Sequence, residues 1–199
     1  MKKLNFKYLI LSVLSIVVMY ATARAQETFK INAPASKLLV SGTSSIHDWE
    51  MKASGFSCEA SIQMDENSVA SITAVNFSCP VEGIKSDNKI MDGKTHKALN
   101  SVKYPEIKFQ FAKGNTVNVS GQKSNLKGDL IIAGQKKEVD MIFSIVGENQ
   151  NEITVKGEVP LKMSDFGIEP PTAMMGTLKT GDEVLIKYEL TLQKTQKIN

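Results

Sequence analysis

The chain has 199 residues, 42% hydrophobic and 23% charged, with 24 Lys or Arg against 21 Asp or Glu. Four of the basic residues and no acidic one fall in residues 1–25, which leaves the remainder at 20 against 21, a net −1. The basic balance belongs to the N-terminus, and without a Lys/Arg-rich run interleaved with aromatics it gives no footing for nucleic-acid binding.

Lys2, Lys3 and Lys7 precede a largely apolar run from Tyr8 to Tyr20, and Ala23-Arg24-Ala25 offers a small-x-small cleavage site. This predicts a cleaved export signal over residues 1–25 and a single periplasmic or secreted domain over 26–199. An uncleaved anchor is the alternative, but the run is short of the about twenty apolar residues that a span needs. No membrane insertion is expected after cleavage.

From Gln26 the chain reads as strands joined by short turns. Phe29 and Ile31 mark the first, Asn32 to Ser36 turns, and Leu38 and Val40 follow. Trp49, Met51 and Ala53 alternate, and the phase shifts at Gly55 to Phe56, Cys58, Ala60, Ile62 and Met64. A phase shift at glycine signals a bulge or sharp bend of the kind barrels use at corners. Asp65-Glu66-Asn67 turns the chain and Ile72 to Phe77 returns. Cys58 and Cys79 share the phase of neighbouring phenylalanines, so both face the apolar side. In an exported chain they form one disulfide or remain two buried thiols.

Met91, Ala98, Leu99 and Val102 then fall at i, i+7, i+8 and i+11, which predicts one short helix. Asp92 is a candidate cap for its start and Asn100 for its end, and Tyr104-Pro105 forbids continuation. Ile107, Phe109 and Phe111 resume a half-buried strand. Gly134-Gln135 fits a two-residue type II′ turn. That register sets Leu130 across from Val139, Gly128 from Met141 and Leu126 from Phe143, with space left beside Gly128. It also opposes Asp129 to Asp140. Ile145 should meet Val155 across the next turn, Glu148 to Asn151. The last two strands carry Ile153, Val155, Val159 and Leu161, then Val184, Ile186, Tyr188, Leu190 and Leu192. The fold class is all-β: an antiparallel β-barrel, or less favourably two packed sheets, with a short helix plugging one end.

Catalytic and metal signatures are weak. Ser45, His47 and Asp48 are the residue types of a hydrolase triad, but neighbours on a strand point to opposite faces. Two histidines cannot build a three-histidine zinc site, only Met174 and Met175 are adjacent methionines, and no glycine-rich phosphate loop joins a strand to a helix. No enzyme activity and no cofactor are expected. The segment Ser164–Gly181 is long for a connector and contains Phe166, Ile168, Met174 and Met175 around Pro170-Pro171, which fits either a loop tucked over the core or a ligand gate.

Four stretches, Ser41–Ser57, Met91–Phe111, Leu126–Met141 and Val159–Pro171, resemble in order and spacing the YceI-like family of exported polyisoprenoid- and lipid-binding proteins. The resemblance implies an extended lipocalin-like barrel with a lengthwise apolar channel, closed near one end by the short helix. The expected ligand is a long apolar lipid, isoprenoid or fatty acyl. The candidate channel residues are Trp49, Met51, Phe56, Leu99, Phe109, Phe111, Leu126, Met141, Phe143 and Phe166. The rival expectation is a stress-response or partner-binding barrel with a filled core.

Overall fold

The computed structural model describes residues 26–111, 115–120 and 123–195. The expected export signal and the side chain of Met174 lie outside the described residues. The strands are β1 (Gln26–Ile31), β2 (Lys37–Ser44), β3 (Trp49–Ala53), β4 (Ser57–Asp65), β5 (Ser68–Pro80), β6 (Ile84–Lys85), β7 (Glu106–Phe111), β8 (Val117–Asn118), β9 (Ser124–Ile132), β10 (Gln135–Glu148), β11 (Glu152–Lys162), β12 (Thr172–Ala173) and β13 (Leu178–Lys194). Among the described residues one α-helix, α1, spans Lys89–Ala98.

These segments make eight staves of a closed antiparallel barrel. β1 and β2 form one interrupted stave: both pair with β13, Phe29 opposite Lys194 and Leu38 opposite Tyr188. The break is a 3-10 turn, Ala33–Ala35, with Pro34 in it. Proline lacks the amide a ladder needs, so the break falls where the chain cannot donate. β3 and β4 form the second stave, against β2 and β1 respectively, divided near Gly55 at φ 69°. The phase shift is thus a sharp bend between two strands. β5 and β6 make the third, and β7, β9, β10, β11 and β13 complete the ring.

The β9–β10 hairpin differs from the expected one by two residues. Its turn is Ala133-Gly134, with φ 49° and 79°, the positive pair of a type I′ turn, and not Gly134-Gln135. Gly128 therefore faces Val139, and Leu126 faces Met141. A two-residue slip keeps every side chain on its face, because strand side chains alternate with period two. The space expected beside Gly128 is filled: a Cβ there would lie 2.5 Å from Phe109 Cζ. Asp129 opposes Glu138, and Lys127 and Lys136 reach these carboxylates diagonally at 2.9 and 2.7 Å. Ile145 does meet Val155.

The helix begins one turn earlier than the pattern suggests. Asn88 caps it, accepting from the amides of Ile90 and Met91 at 2.9 and 3.2 Å. Asp92 sits inside the first turn and accepts from the amide and hydroxyl of Ser86, both at 2.7 Å. Asn100 takes the left-handed conformation at φ 53°, so the helix is over before Val102, which is fully exposed.

Candidate functional site

Alternation along the staves turns one row of each strand inward, and these rows enclose two adjoining chambers. The outer, of about 330 Å³, opens at the helix end; the inner, of about 160 Å³, lies deeper in the barrel. Val40, Ile84, Ile107 and Ile186 wall both and form the waist between them. The inner wall is apolar apart from Tyr188, whose hydroxyl points at the Ile142 carbonyl at 3.4 Å. Burial pushes that phenol up to about 12, so it stays neutral. Gly157 faces Tyr188 across the β11–β13 ladder, and a side chain there would collide with the Tyr188 ring.

Eight of the ten expected channel residues front a chamber. Trp49, Met51, Leu99 and Phe166 face the outer one, and Phe109, Leu126, Met141 and Phe143 the inner. Phe56 and Phe111 are buried but line neither. The Phe56 ring packs 6.0 Å from Phe77, and Phe111 belongs to the main core, opposite Val75. The waist residues are not among the ten, because strand alternation marks a residue as inward without showing which inward residues share one level of the barrel. Val40, Ile107 and Ile186 do carry a signal, since each is in phase with apolar residues two positions away.

The mouth is covered from two sides. The inward face of α1 supplies Met91, Lys94, Thr95, Ala98 and Leu99, none of them fully buried. The helix is held instead by polar tethers: His96 Nε2 to the Ile84 carbonyl at 2.8 Å, Lys94 Nζ to the Thr172 carbonyl at 2.8 Å, and Thr95 Oγ1 to Met51 Sδ at 3.4 Å. From the opposite side, the segment after β11 folds Phe166 and Ile168 inward over the outer chamber, while Met175 stays exposed. Asp182 on β13 anchors this segment, accepting from the Ser164 amide at 2.8 Å and its hydroxyl at 2.5 Å. These bonds hold the Asp182 carboxyl below the usual range, as the Ser86 bonds do for Asp92.

Cys58 and Cys79 are free thiols fronting the inner chamber, the second of the two arrangements the sequence leaves open. Cys58 pairs with Phe77, so Cys79 is its diagonal neighbour on the same face. Diagonal positions stand about 7–8 Å apart, beyond the roughly 4.4–6.8 Å of disulfide-linked Cα atoms. Burial pushes Cys58 to about 12 and Cys79 to about 11. Ser45, His47 and Asp48 form no triad: Ser45 Oγ donates to the Lys179 carbonyl at 3.3 Å, and His47 Nδ1 lies 2.7 Å from the Asp48 carbonyl. No helix among the described residues is long and apolar enough to cross a membrane, and those residues hold no cluster of three metal-ligating side chains.

Solved structures share this architecture. Burkholderia cenocepacia BcnA superposes with a TM-score of 0.65 at 20% identity, covering 81% of this chain and 98% of that one. A polyisoprenoid binding domain from Saccharophagus degradans, implicated in plant cell wall breakdown, gives 0.65 at 13% identity, covering 86% and 100%. The Campylobacter jejuni YceI protein gives 0.53 at 19% identity, covering 70% and 82%. At these identities the likeness is one of fold. No curated protein sequence matches the chain. The sequence pattern of the YceI-like domain matches residues 28–192. That span runs from the opening stave to the strand that closes on it, and by it this eight-stave barrel with its helix-covered mouth belongs to the YceI-like family.

Proposed function

We propose that this chain is exported and binds a long apolar lipid, an isoprenoid or fatty acyl chain, in the two-chambered channel, carrying or storing it without transforming it. The observation that supports this is the inner chamber, a space deep in the barrel whose wall is apolar but for one phenol and two weakly polar thiols. Water gains little there, and a chain threaded through the waist loses its hydration. Each methylene buried contributes about 0.8 kcal/mol. About ten of them give roughly 8 kcal/mol before ordering costs, which sets micromolar binding as the best expected affinity. The polyisoprenoid binding domain of Saccharophagus degradans shares the fold and gives the isoprenoid its place beside the fatty acyl chain.

Mass spectrometry of organic extracts from the purified protein tests this directly, together with titration of Trp49 emission. Trp49 is the only tryptophan and fronts the outer chamber. Expected are a co-purifying long-chain lipid and a saturable spectral change with dispersed isoprenol or fatty acid. A barrel that yields no lipid, and a Trp49 spectrum indifferent to both, overturns the reading in favour of a filled barrel that binds a partner.

A further inference from the structure

Six large apolar side chains are exposed among the described residues, and their placement is uneven. Ile46 (63% exposed) is on the loop between β2 and β3, Ile90 (74%) on the first turn of α1, Val102 (97%) on the turn after the helix, and Met175 (107%) on the segment leading to β13. All four segments lie at the mouth end of the barrel. The other two, Ile142 and Val146, are on the outer wall of β10. Among the described residues of the opposite end, the turns Glu66-Asn67 and Asn149-Gln150-Asn151 expose no apolar side chain. Exposed apolar groups gathered at one end mark a contact surface. Ile46 and Ile90 also front the outer chamber, so two of the four stand at the channel's own entrance.

Charge at this end points the same way. Residues 85–103 carry Lys85, Lys89, Lys94, Lys97 and Lys103 against Asp87 and Asp92; Asp92 is engaged by Ser86, Lys94 by the Thr172 carbonyl, and Lys103 lies 5.0 Å over the Tyr104 ring, which leaves Lys89 and Lys97 as the outward cations of the helix. The ion pairs of this structure lie on the barrel wall, and none of these five lysines is in one among the described residues. Asp48, Asp165 and Glu169 also lie at this end, so the positive field is local to the helix and not a property of the whole rim.

We infer that the mouth end is a docking surface for a lipid bilayer bearing anionic phospholipid. Ile46, Ile90, Val102 and Met175 enter the headgroup region and the helix lysines meet the phosphates. Apolar tips with flanking lysines are the chemistry that seats a protein on a bilayer without spanning it. The orientation turns the channel mouth towards the acyl chains, so a lipid passes between membrane and barrel without crossing water. The inference rests on the proposed lipid binding for its purpose, but its test is separate.

The test is co-sedimentation of the mature protein with vesicles of phosphatidylcholine containing about one third phosphatidylglycerol, compared with pure phosphatidylcholine. Expected are binding to the anionic vesicles, weakening as salt rises, and at least a tenfold loss of partitioning in V102E/M175E. Neither residue lines a chamber, and their exposure leaves folding untouched. A second variant, K89E/K97E, should lose the salt-sensitive part of the binding. Wild-type protein that stays in the supernatant, or V102E/M175E that sediments like wild type, overturns the inference. So does a dimer without vesicles that V102E/M175E dissociates, since a second copy then covers the patch. The Trp49 response to dispersed fatty acid keeps the readings apart. If it persists without vesicle binding, docking alone fails; if it is absent while vesicles still bind, lipid carriage fails.

Discussion

Gly128 and Gly157 show how single residues set the channel's width. A Cβ at Gly128 would stand 2.5 Å from Phe109 Cζ and 2.7 Å from the Gln110 carbonyl, which is backbone and cannot step aside. Gly128→Ala should therefore cost about 1–3 kcal/mol, the usual range for overpacking. The check is a lower urea midpoint with an unchanged denaturant slope. Phe143 works in the other sense, as a buried ring against the inner chamber. Phe143→Ala should cost about 3–5 kcal/mol, and by enlarging the chamber it should move the preferred ligand towards longer chains, read from Trp49 titrations with a fatty-acid series. The thiols make a third test. With Cys58 near 12 and Cys79 near 11, almost no thiolate exists at neutral pH. A disulfide reagent should react with neither in the folded protein and with both in denaturant without reductant. Zero thiols under denaturant would mean a bridge.

At the scale of elements, the two pieces that cover the mouth depend on hydrogen bonds more than on burial. No residue of α1 is fully buried, so its capping and tethers carry unusual weight. Asn88→Ala leaves the amides of Ile90 and Met91 unpartnered and should cost about 1 kcal/mol. Hydrogen exchange should speed up in the helix first, since elements with little buried area open locally. Asp92 and Asp182 give this region a pH dependence. Both carboxyls are held down by a serine hydroxyl and amide, so the unfolded chain takes up protons at higher pH than the folded one. Their contribution is complete above the ordinary aspartate range of about 4 and is lost as pH falls through the lowered native values. Protease cleavage within residues 86–100 and 163–181 should rise below that range while the barrel wall stays resistant. Asp92→Asn should remove the pH dependence of the helix part alone.

At the end away from the mouth the barrel closes through a short seam, β2 carrying the rest of the ladder to β13. β1 meets β13 through only Phe29–Lys194, Lys30–Gln193 and Ile31–Leu192, yet Phe29 is completely buried beneath it. Ending the chain at Leu190 removes these pairs together with the Ile153–Leu192 contact. That variant should bind an apolar dye and lose its single cooperative unfolding transition. The full barrel should fold in milliseconds to seconds, as chains dominated by distant pairings do. Stopped-flow Trp49 fluorescence reads this directly, because Trp49 packs over Gly42 at 2.5 Å from where a Cβ would sit.

Periodicity alone determined the all-β class, the inward row of each strand, the helix before β7 and its left-handed end at Asn100, because these depend on near neighbours in the chain. It also made the Leu126–Phe143 hairpin legible in all but its exact register, since a two-residue slip leaves the alternation unchanged. The run of antiparallel strands already favoured a barrel over two packed sheets, and the resemblance to the YceI-like family added its lengthwise channel; periodicity could not show which strands close the ring, because closure joins β1 to β13 across nearly the whole domain. The tertiary structure decided what distance decides. It put Asn88 in the capping role by turning Asp92 to Ser86, set Cys79 diagonal to Cys58, and drew Val40, Ile84, Ile107 and Ile186 into one waist. It also gathered Ile46, Ile90, Val102 and Met175 at one end, where each alone would have been an ordinary surface residue.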